Sequence, residues 1–177
     1  MQCCPFRLLC RAAPEDAVKI DISVAHQLLT LFDDAGRVLR EYHISTGKAG
    51  VGELSGSFQT PRGRHRIRAK IGAGVAENTI FVGRRPTGEV WSPEFEQRHP
   101  GRDWILTRIL WLSGCEHGRN RLGCVDTMRR YIYIHGAPEH ADMGTPASHG
   151  CIRMRNADIV ELFDLVPAYT LIDIRED

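Results

Sequence analysis

Apolar and polar residues alternate in short runs over the first part of the chain: Lys19–Val24, Gln27–Phe32 and Arg37–Thr46. A period of two sends every second side chain to the same face of a pleated ribbon, so each run predicts a strand. Asp33-Asp34-Ala35-Gly36 divides the second run from the third and supplies the turn residues of a hairpin. Residues 46–64 are rich in Gly, Ser and Thr and end in Thr60-Pro61-Arg62-Gly63, which predicts a tight turn before a strand over His65–Lys70. Phe81-Val82-Gly83 reads as another short strand, and residues 84–103, rich in proline and charge, as an exposed loop. Trp104–Leu112 is a dense apolar run whose length and β-branched content favour a buried strand. Tyr131–His135 has strong β-propensity and delivers a histidine at a strand end, directly before Gly136. Residues 136–147 lack periodicity and predict a surface loop leading into Ser148-His149-Gly150-Cys151. A helix follows, with Asn156 as its N-cap, Asp158 in its first turn, an apolar face of Ile159, Val160, Leu162, Phe163 and Val166, and Pro167 as its end. Tyr169–Ile174 closes the chain as a strand, so the pattern predicts a mainly β protein with one clear helix in its C-terminal half.

A length of 177 residues argues for one domain over 19–177 behind a flexible leader over 1–18. With 42% hydrophobic and 25% charged residues the chain has the composition of a folded globular protein. Lys plus Arg number 23 against 22 for Asp plus Glu, and the resulting charge of +1 provides no field to gather nucleic acid or anionic membrane. No apolar run reaches the roughly 20 residues of a membrane span, and the stretch from Met1 to Arg11 is too interrupted for a signal-peptide core. The expected compartment is therefore the cytoplasm, or the periplasm or cell wall if the true start lies upstream of Met1. Six cysteines, Cys3, Cys4, Cys10, Cys115, Cys124 and Cys151, are too sparse for a disulfide scaffold and fit a reducing environment. Cys115, His117 and Cys124 lack the doubled two-to-four-residue spacing of structural zinc, and no metal or other cofactor is expected. Oligomeric state is left open by the sequence.

A cysteine nucleophile requires a group that takes its proton or lowers its pKa, and histidine does both near neutral pH. Cys151 and His135 form the obvious pair, with a loop between them long enough for the chain to return. Gly150 permits a tight backbone path, and the consecutive N–H groups of His149, Gly150 and Cys151 are able to converge where an oxyanion would form in acyl transfer. Other readings exist for each residue: a buried small hydrophobe for Cys151, or zinc ligation by His135, His149 and Cys151. Arg153 has the planar fork that grips a substrate carboxylate, or it pairs with a structural Asp. Ser148 reads as a turn and hydrogen-bonding residue and not as a nucleophile, since no separate base is placed for it, while Tyr133 and Trp111 either line the site or belong to the core.

His135-Gly136, a loop, then Ser148-His149-Gly150-Cys151-Ile152-Arg153 resembles the signature of the L,D-transpeptidase catalytic domain, also called the YkuD domain. Ser45-Thr46-Gly47, Gln59-Thr60-Pro61-Arg62-Gly63, Thr107-Arg108, Val125-Asp126-Thr127 and Arg130–Gly136 also resemble that family's text, over roughly residues 19 to 174. The resemblance implies a β-sandwich with Cys151 as nucleophile, His135 as general base and the Gly136 carbonyl orienting the imidazole. It implies an oxyanion site lined by His149, Gly150 and the Cys151 amide, with Arg153, Ser148 and Tyr133 near the substrate. It further implies attack on the bond between meso-diaminopimelate and D-alanine in peptidoglycan tetrapeptide stems. An amine acceptor then gives a 3-3 crosslink or D-amino acid exchange, and water gives an L,D-carboxypeptidase suited to muropeptide recycling inside the cell. Where many members carry Asn two residues after the cysteine, this chain has Arg153, as another subgroup does. A non-catalytic peptidoglycan-binding module is the competing class, against which an intact Cys151 and His135 argue; a zinc-binding regulator is a third.

Overall fold

The computed structural model describes residues 18–177. The expected leader, with Cys3, Cys4 and Cys10, lies outside the described residues except for Val18, which packs against the core. The alternating runs at the start of the chain fold as β1 (Lys19–Ser23), β2 (Leu28–Phe32) and β3 (Val38–His43), joined as antiparallel neighbours. In the β2–β3 turn Asp33 carries the load expected of it: its carboxylate accepts from the Arg37 backbone N–H at 2.8 Å. Further along come β4 (Gly63–Ile71), β5 (Thr79–Val82), β6 (Arg85–Val90), the short helix α1 (Pro93–Gln97) and β7 (Leu106–Gly114). The C-terminal part contributes β8 (Tyr133–Gly136), β9 (Ile152–Met154), α2 (Asn156–Leu165) and β10 (Leu171–Arg175).

The strands form one ten-stranded sheet in the order β3-β2-β1-β10-β4-β7-β5-β6, with β8 on β7 and β9 on β8. Only β1 with β10 and β8 with β9 run parallel. The far edge returns to the start, because Ser45, just past β3, exchanges both backbone hydrogen bonds with Arg153 of β9, at 2.9 and 2.8 Å. The expected sandwich is thus a sheet curled until its two ends meet. Enclosed within it, Ile20, Ile22, Leu29 and Leu31 from one end share a core with Ile134, Ile152 and Met154 from the other, under Ile159, Leu162 and Phe163 of α2. Each such side chain contributes on the order of 1.5–3 kcal/mol by leaving water.

Two expectations need correcting. Residues 84–103 are not a plain loop: β6 pairs with β5 in a hairpin, and Trp91 and Trp104 are buried with Ile80 and Leu106. Pro86 and Gly88 hid this strand, yet a strand on an outer edge tolerates a missing N–H, and every residue of β6 is exposed. The turn is closed by Gly83 and Arg84, both with positive φ (55° and 67°), as a two-residue hairpin loop requires. Asn156, expected as the N-cap of α2, is the first helical residue, and Arg155 precedes it without a side-chain cap. Its amide is buried and used elsewhere: Nδ2 donates to Ala137 O (3.0 Å) and Asn78 Oδ1 (2.7 Å), while Oδ1 accepts from Thr107. Capping preference is a local tendency, and here a buried tertiary network outweighs it. No helix among the described residues is long and apolar enough to cross a membrane.

Candidate active site

The parallel register between β8 and β9 aligns Ile134 with Ile152 and His135 with Arg153. Side chains of a strand alternate between faces, so Ile132, Ile134, Ile152 and Met154 enter the main core, while Tyr133, His135, Cys151 and Arg153 share the opposite face. Cys151, immediately before β9, packs against the small cluster of Phe81, Ile109 and Tyr133. The thiol donates to Tyr131 O at 3.5 Å. A periodicity that was legible in the sequence therefore places on one face two residues sixteen positions apart.

His135 is 1% exposed. Its Nδ1 lies 2.8 Å from Gly136 O; a carbonyl only accepts, so Nδ1 carries the proton and Nε2 is the unprotonated nitrogen of the neutral ring. Burial pulls the His135 pKa below its ordinary value, against the raising effects of the Gly136 bond and of Asp103. Burial also pushes the Cys151 thiol up to about 12, opposed by the Tyr133 N–H and by the positive charges of Arg153 and Arg130. Both shifts favour the uncharged forms, a neutral thiol and a neutral imidazole.

The segment around Cys151 is held by the motifs flanking it in space. Gly47 bridges Ser148, and Lys48 N donates to Ser148 O at 2.9 Å. Thr60 Oγ1 accepts from Gly47 N (2.9 Å) and donates to Gly150 O (3.0 Å). Gly150 has φ +112°, and a Cβ there would meet Gln59 O at 3.0 Å, so both its conformation and its surroundings demand glycine. Arg130, half-buried, binds Gly52 O at 3.0 Å and also Gln59 O, fastening this loop over the turn.

Ser148 is not directed at a ligand: its hydroxyl donates to Cys151 O (2.6 Å) and accepts from Gly150 N (3.1 Å), so it builds the turn. The same bond commits the Gly150 N–H, and the anion-binding donors expected of this tripeptide narrow to those of Cys151 and His149. Tyr133 is buried, and its hydroxyl accepts from Arg84 Nη1 at 3.0 Å. That guanidinium also lies over Trp111 and Tyr131, 4.5 and 4.9 Å from their ring centroids, so Trp111 and Tyr133 form the wall behind the cysteine.

Arg153 is paired, and with a residue the sequence reading missed. Its Nη2 lies 2.6 Å from Asp103 Oδ1, and Asp103 Oδ2 lies 3.2 Å from His149 Nδ1. Burial works to raise the Asp103 pKa, but the charge of Arg153 leads a set of opposing effects, with His135 and His149, that together hold it below the usual carboxylate value. Nothing local marks Asp103, which falls in the stretch expected to be loop; the burial of Trp104 beside it is what brings it to the site.

Two grooves adjoin this face. One, of about 330 Å³, is lined by Phe58, Arg130, Tyr131 and His149 among others; the second, of about 250 Å³, by Glu96, Arg102, Asp103, Trp104, His140 and Arg153. A larger cavity of about 480 Å³ lies by Arg62, Arg119 and the chain end and contains none of the candidate residues. Among the described residues no three His, Cys, Asp or Glu side chains converge to hold a metal ion, and Cys115, Cys124 and Cys151 are free thiols.

A family model described as the L,D-transpeptidase catalytic domain matches residues 17–174. The chain is similar to YkuD of Bacillus subtilis strain 168, a candidate L,D-transpeptidase, with 34% identity over 89 residues, 50% of this chain and 44% of that protein. It is also similar to YqjB of the same organism, likewise a candidate L,D-transpeptidase, with 27% identity over 165 residues, 93% of this chain and 74% of the other. The solved structure of L,D-transpeptidase 3 from Mycobacterium tuberculosis in complex with a faropenem-derived adduct superposes with a TM-score of 0.56 at 17% identity, covering 91% of this chain and 61% of its own. That last likeness establishes a shared fold. The chain spans less than half the length of YkuD and about three-fifths of the mycobacterial chain.

Proposed function

Since the chain belongs to the L,D-transpeptidase catalytic domain family, we propose that it is a cysteine acyltransferase acting on peptidoglycan tetrapeptide stems at the bond between meso-diaminopimelate and the terminal D-alanine. The observation that carries this reading is the placement of His135 on β8 and Cys151 immediately before the parallel strand β9, on one face, with His135 neutral and its Nδ1 held by the Gly136 carbonyl.

In the acylation half, Nε2 of His135 takes the thiol proton as Sγ of Cys151 attacks the diaminopimelate carbonyl carbon. The resulting oxyanion is met by the backbone N–H groups of Cys151 and His149. Collapse breaks the C–N bond, D-alanine leaves with the proton held on His135, and a thioester remains. In the second half His135 deprotonates the acceptor as it attacks the thioester carbonyl, the C–S bond breaks and His135 returns the proton to the Cys151 sulfur: an amine of another stem gives a 3-3 crosslink, a D-amino acid gives exchange, and water gives a shortened tripeptide stem. Arg153 is the group for a substrate carboxylate. The faropenem-derived adduct carried by the mycobacterial relative supports including β-lactams of that class among reagents that acylate Cys151.

The test is mass spectrometry of disaccharide-tetrapeptide incubated with the wild-type protein and with Cys151→Ala, with and without added D-amino acid. Loss of D-alanine to tripeptide identifies a carboxypeptidase, which suits muropeptide recycling in the cytoplasm; crosslinked dimer or exchanged stem identifies a transpeptidase, whose place is the periplasm or wall. Cys151→Ala abolishes every product while thermal stability stays close to wild type. If no product depends on Cys151, the enzyme reading is wrong and a stem-binding module takes its place.

A further inference from the structure

The groove beside Arg153 carries charge of both signs. Glu96 and Asp103 line it together with Arg102 and Arg153, in about 250 Å³. It also adjoins the nucleophile: Arg153 follows Cys151 by two residues on the same face, and Asp103 and Arg153 both act electrostatically on Cys151 and His135. The Arg153–Asp103 contact of 2.6 Å raises a difficulty for any ligand that brings only a carboxylate. Such a ligand would share the guanidinium with Asp103, setting two anions side by side, or displace Asp103 and leave that carboxylate with His149 as its remaining partner. The difficulty disappears for a ligand that carries an ammonium on the same carbon as its carboxylate, because each member of the resident pair then exchanges one opposite charge for another. Glu96 stands by as a second anion for the ammonium, its Oε1 steadied by Trp104 Nε1 at 3.2 Å and 3.6 Å from His140 Nε2.

We propose that this groove is a subsite for a free α-amino-carboxylate head, with Arg153 holding the carboxylate and Asp103, backed by Glu96, holding the ammonium. The inference rests on the acyl-transfer reading above, under which two sources offer such a head: the side-chain end of diaminopimelate in a stem, and a free D-amino acid. Asp103 is thereby a specificity residue that reads the amine, and Arg153 reads the acid only in its company.

The experiment is calorimetric binding to the Cys151→Ala protein of three disaccharide-tetrapeptides differing at the third residue: meso-diaminopimelate, L-lysine (ammonium without carboxylate) and 2-aminopimelate (carboxylate without ammonium). The diaminopimelate stem binds at least about tenfold more tightly than either, the scale of one charge-assisted hydrogen bond. Asp103→Asn in the same background brings the diaminopimelate-to-aminopimelate ratio close to one, and Arg153→Gln does the same to the diaminopimelate-to-lysine ratio, while Asp103→Glu restores the first preference. Free D-alanine that displaces the diaminopimelate stem assigns the subsite to free amino acids; failure to displace it assigns the subsite to the stem. Three stems binding within about twofold of one another overturn the subsite, and this remains decisive if Asp103→Asn does not fold. Turnover of the diaminopimelate stem by the wild-type protein is measured alongside: binding preference without turnover removes the acyl-transfer reading and leaves the subsite, whereas turnover without preference does the reverse.

Discussion

His135 and Cys151 are both uncharged at rest, and burial is the leading cause in each case. A buried imidazole with a depressed pKa stays neutral through the physiological range and is lost as a base only when pH falls through that lowered value. The acid limb of kcat/KM is therefore expected below pH 6.5, the ordinary value for histidine. A thiol pushed up to about 12 forms little thiolate by itself, so iodoacetamide alkylates Cys151 at pH 7 more slowly than a free model thiol, as read by peptide mass mapping. Fast alkylation near pH 6 would show a thiolate–imidazolium pair instead. Replacing His135 by Ala lowers the acylation rate by about 10² to 10⁴, the scale of a general base, with the fold retained. At this scale Cys151, His135 and Gly150 were legible as candidates because their chemistry and spacing stand out along the chain. Asp103 was not, since a single acid between Arg102 and Trp104 acquires its meaning only from Arg153, fifty residues away.

Among the elements, the best-read were those whose signal is periodic: the β1–β2–β3 meander, the buried β7 and the apolar face of α2. The β5–β6 hairpin was missed because its outer strand contains Pro and Gly and its identity depends on the partner it pairs with. The start of α2 shows the opposite error, a strong local capping residue drawn into a buried network. Because the Asn156 amide satisfies Asn78, Thr107 and Ala137, Asn156→Ala leaves buried polar groups without partners. A loss of about 1–3 kcal/mol is expected in urea unfolding for Asn156→Ala and for Asn156→Gly alike, since both remove the amide, whereas at a helix cap glycine would cost only a few tenths. An Asn156→Gly variant within a few tenths of wild type would return Asn156 to a capping role.

For the molecule as a whole, pH dependence of stability centres on a second buried histidine. His65 on β4 is fully enclosed, with Nδ1 donating to Gly63 O (2.8 Å) and Nε2 facing Thr127 Oγ1 (3.0 Å), and burial lowers its pKa to about 4. The folded form binds its proton less readily than the unfolded chain, so the stabilisation is complete above pH 6.5 and is lost as pH falls toward 4, by roughly 3 kcal/mol in all. Urea midpoints measured across that window should fall with decreasing pH, and His65→Gln should flatten the slope; an unchanged slope would place the titration elsewhere. Alternation, turn residues and the Cys–His spacing are properties of neighbouring residues, and by themselves they determined a mainly β chain, the long helix α2 and the choice of Cys151 and His135 as the candidate pair. The closing of the curled sheet through Ser45 and Arg153, the occupation of Arg153 by Asp103, the use of the Gly150 N–H by Ser148 and the docking of residues 84–103 were decided by tertiary structure. The physical reason is that each depends on which groups meet after long stretches of chain have been brought together, and hydrogen bonds and ion pairs are settled by that meeting and leave no period in the sequence.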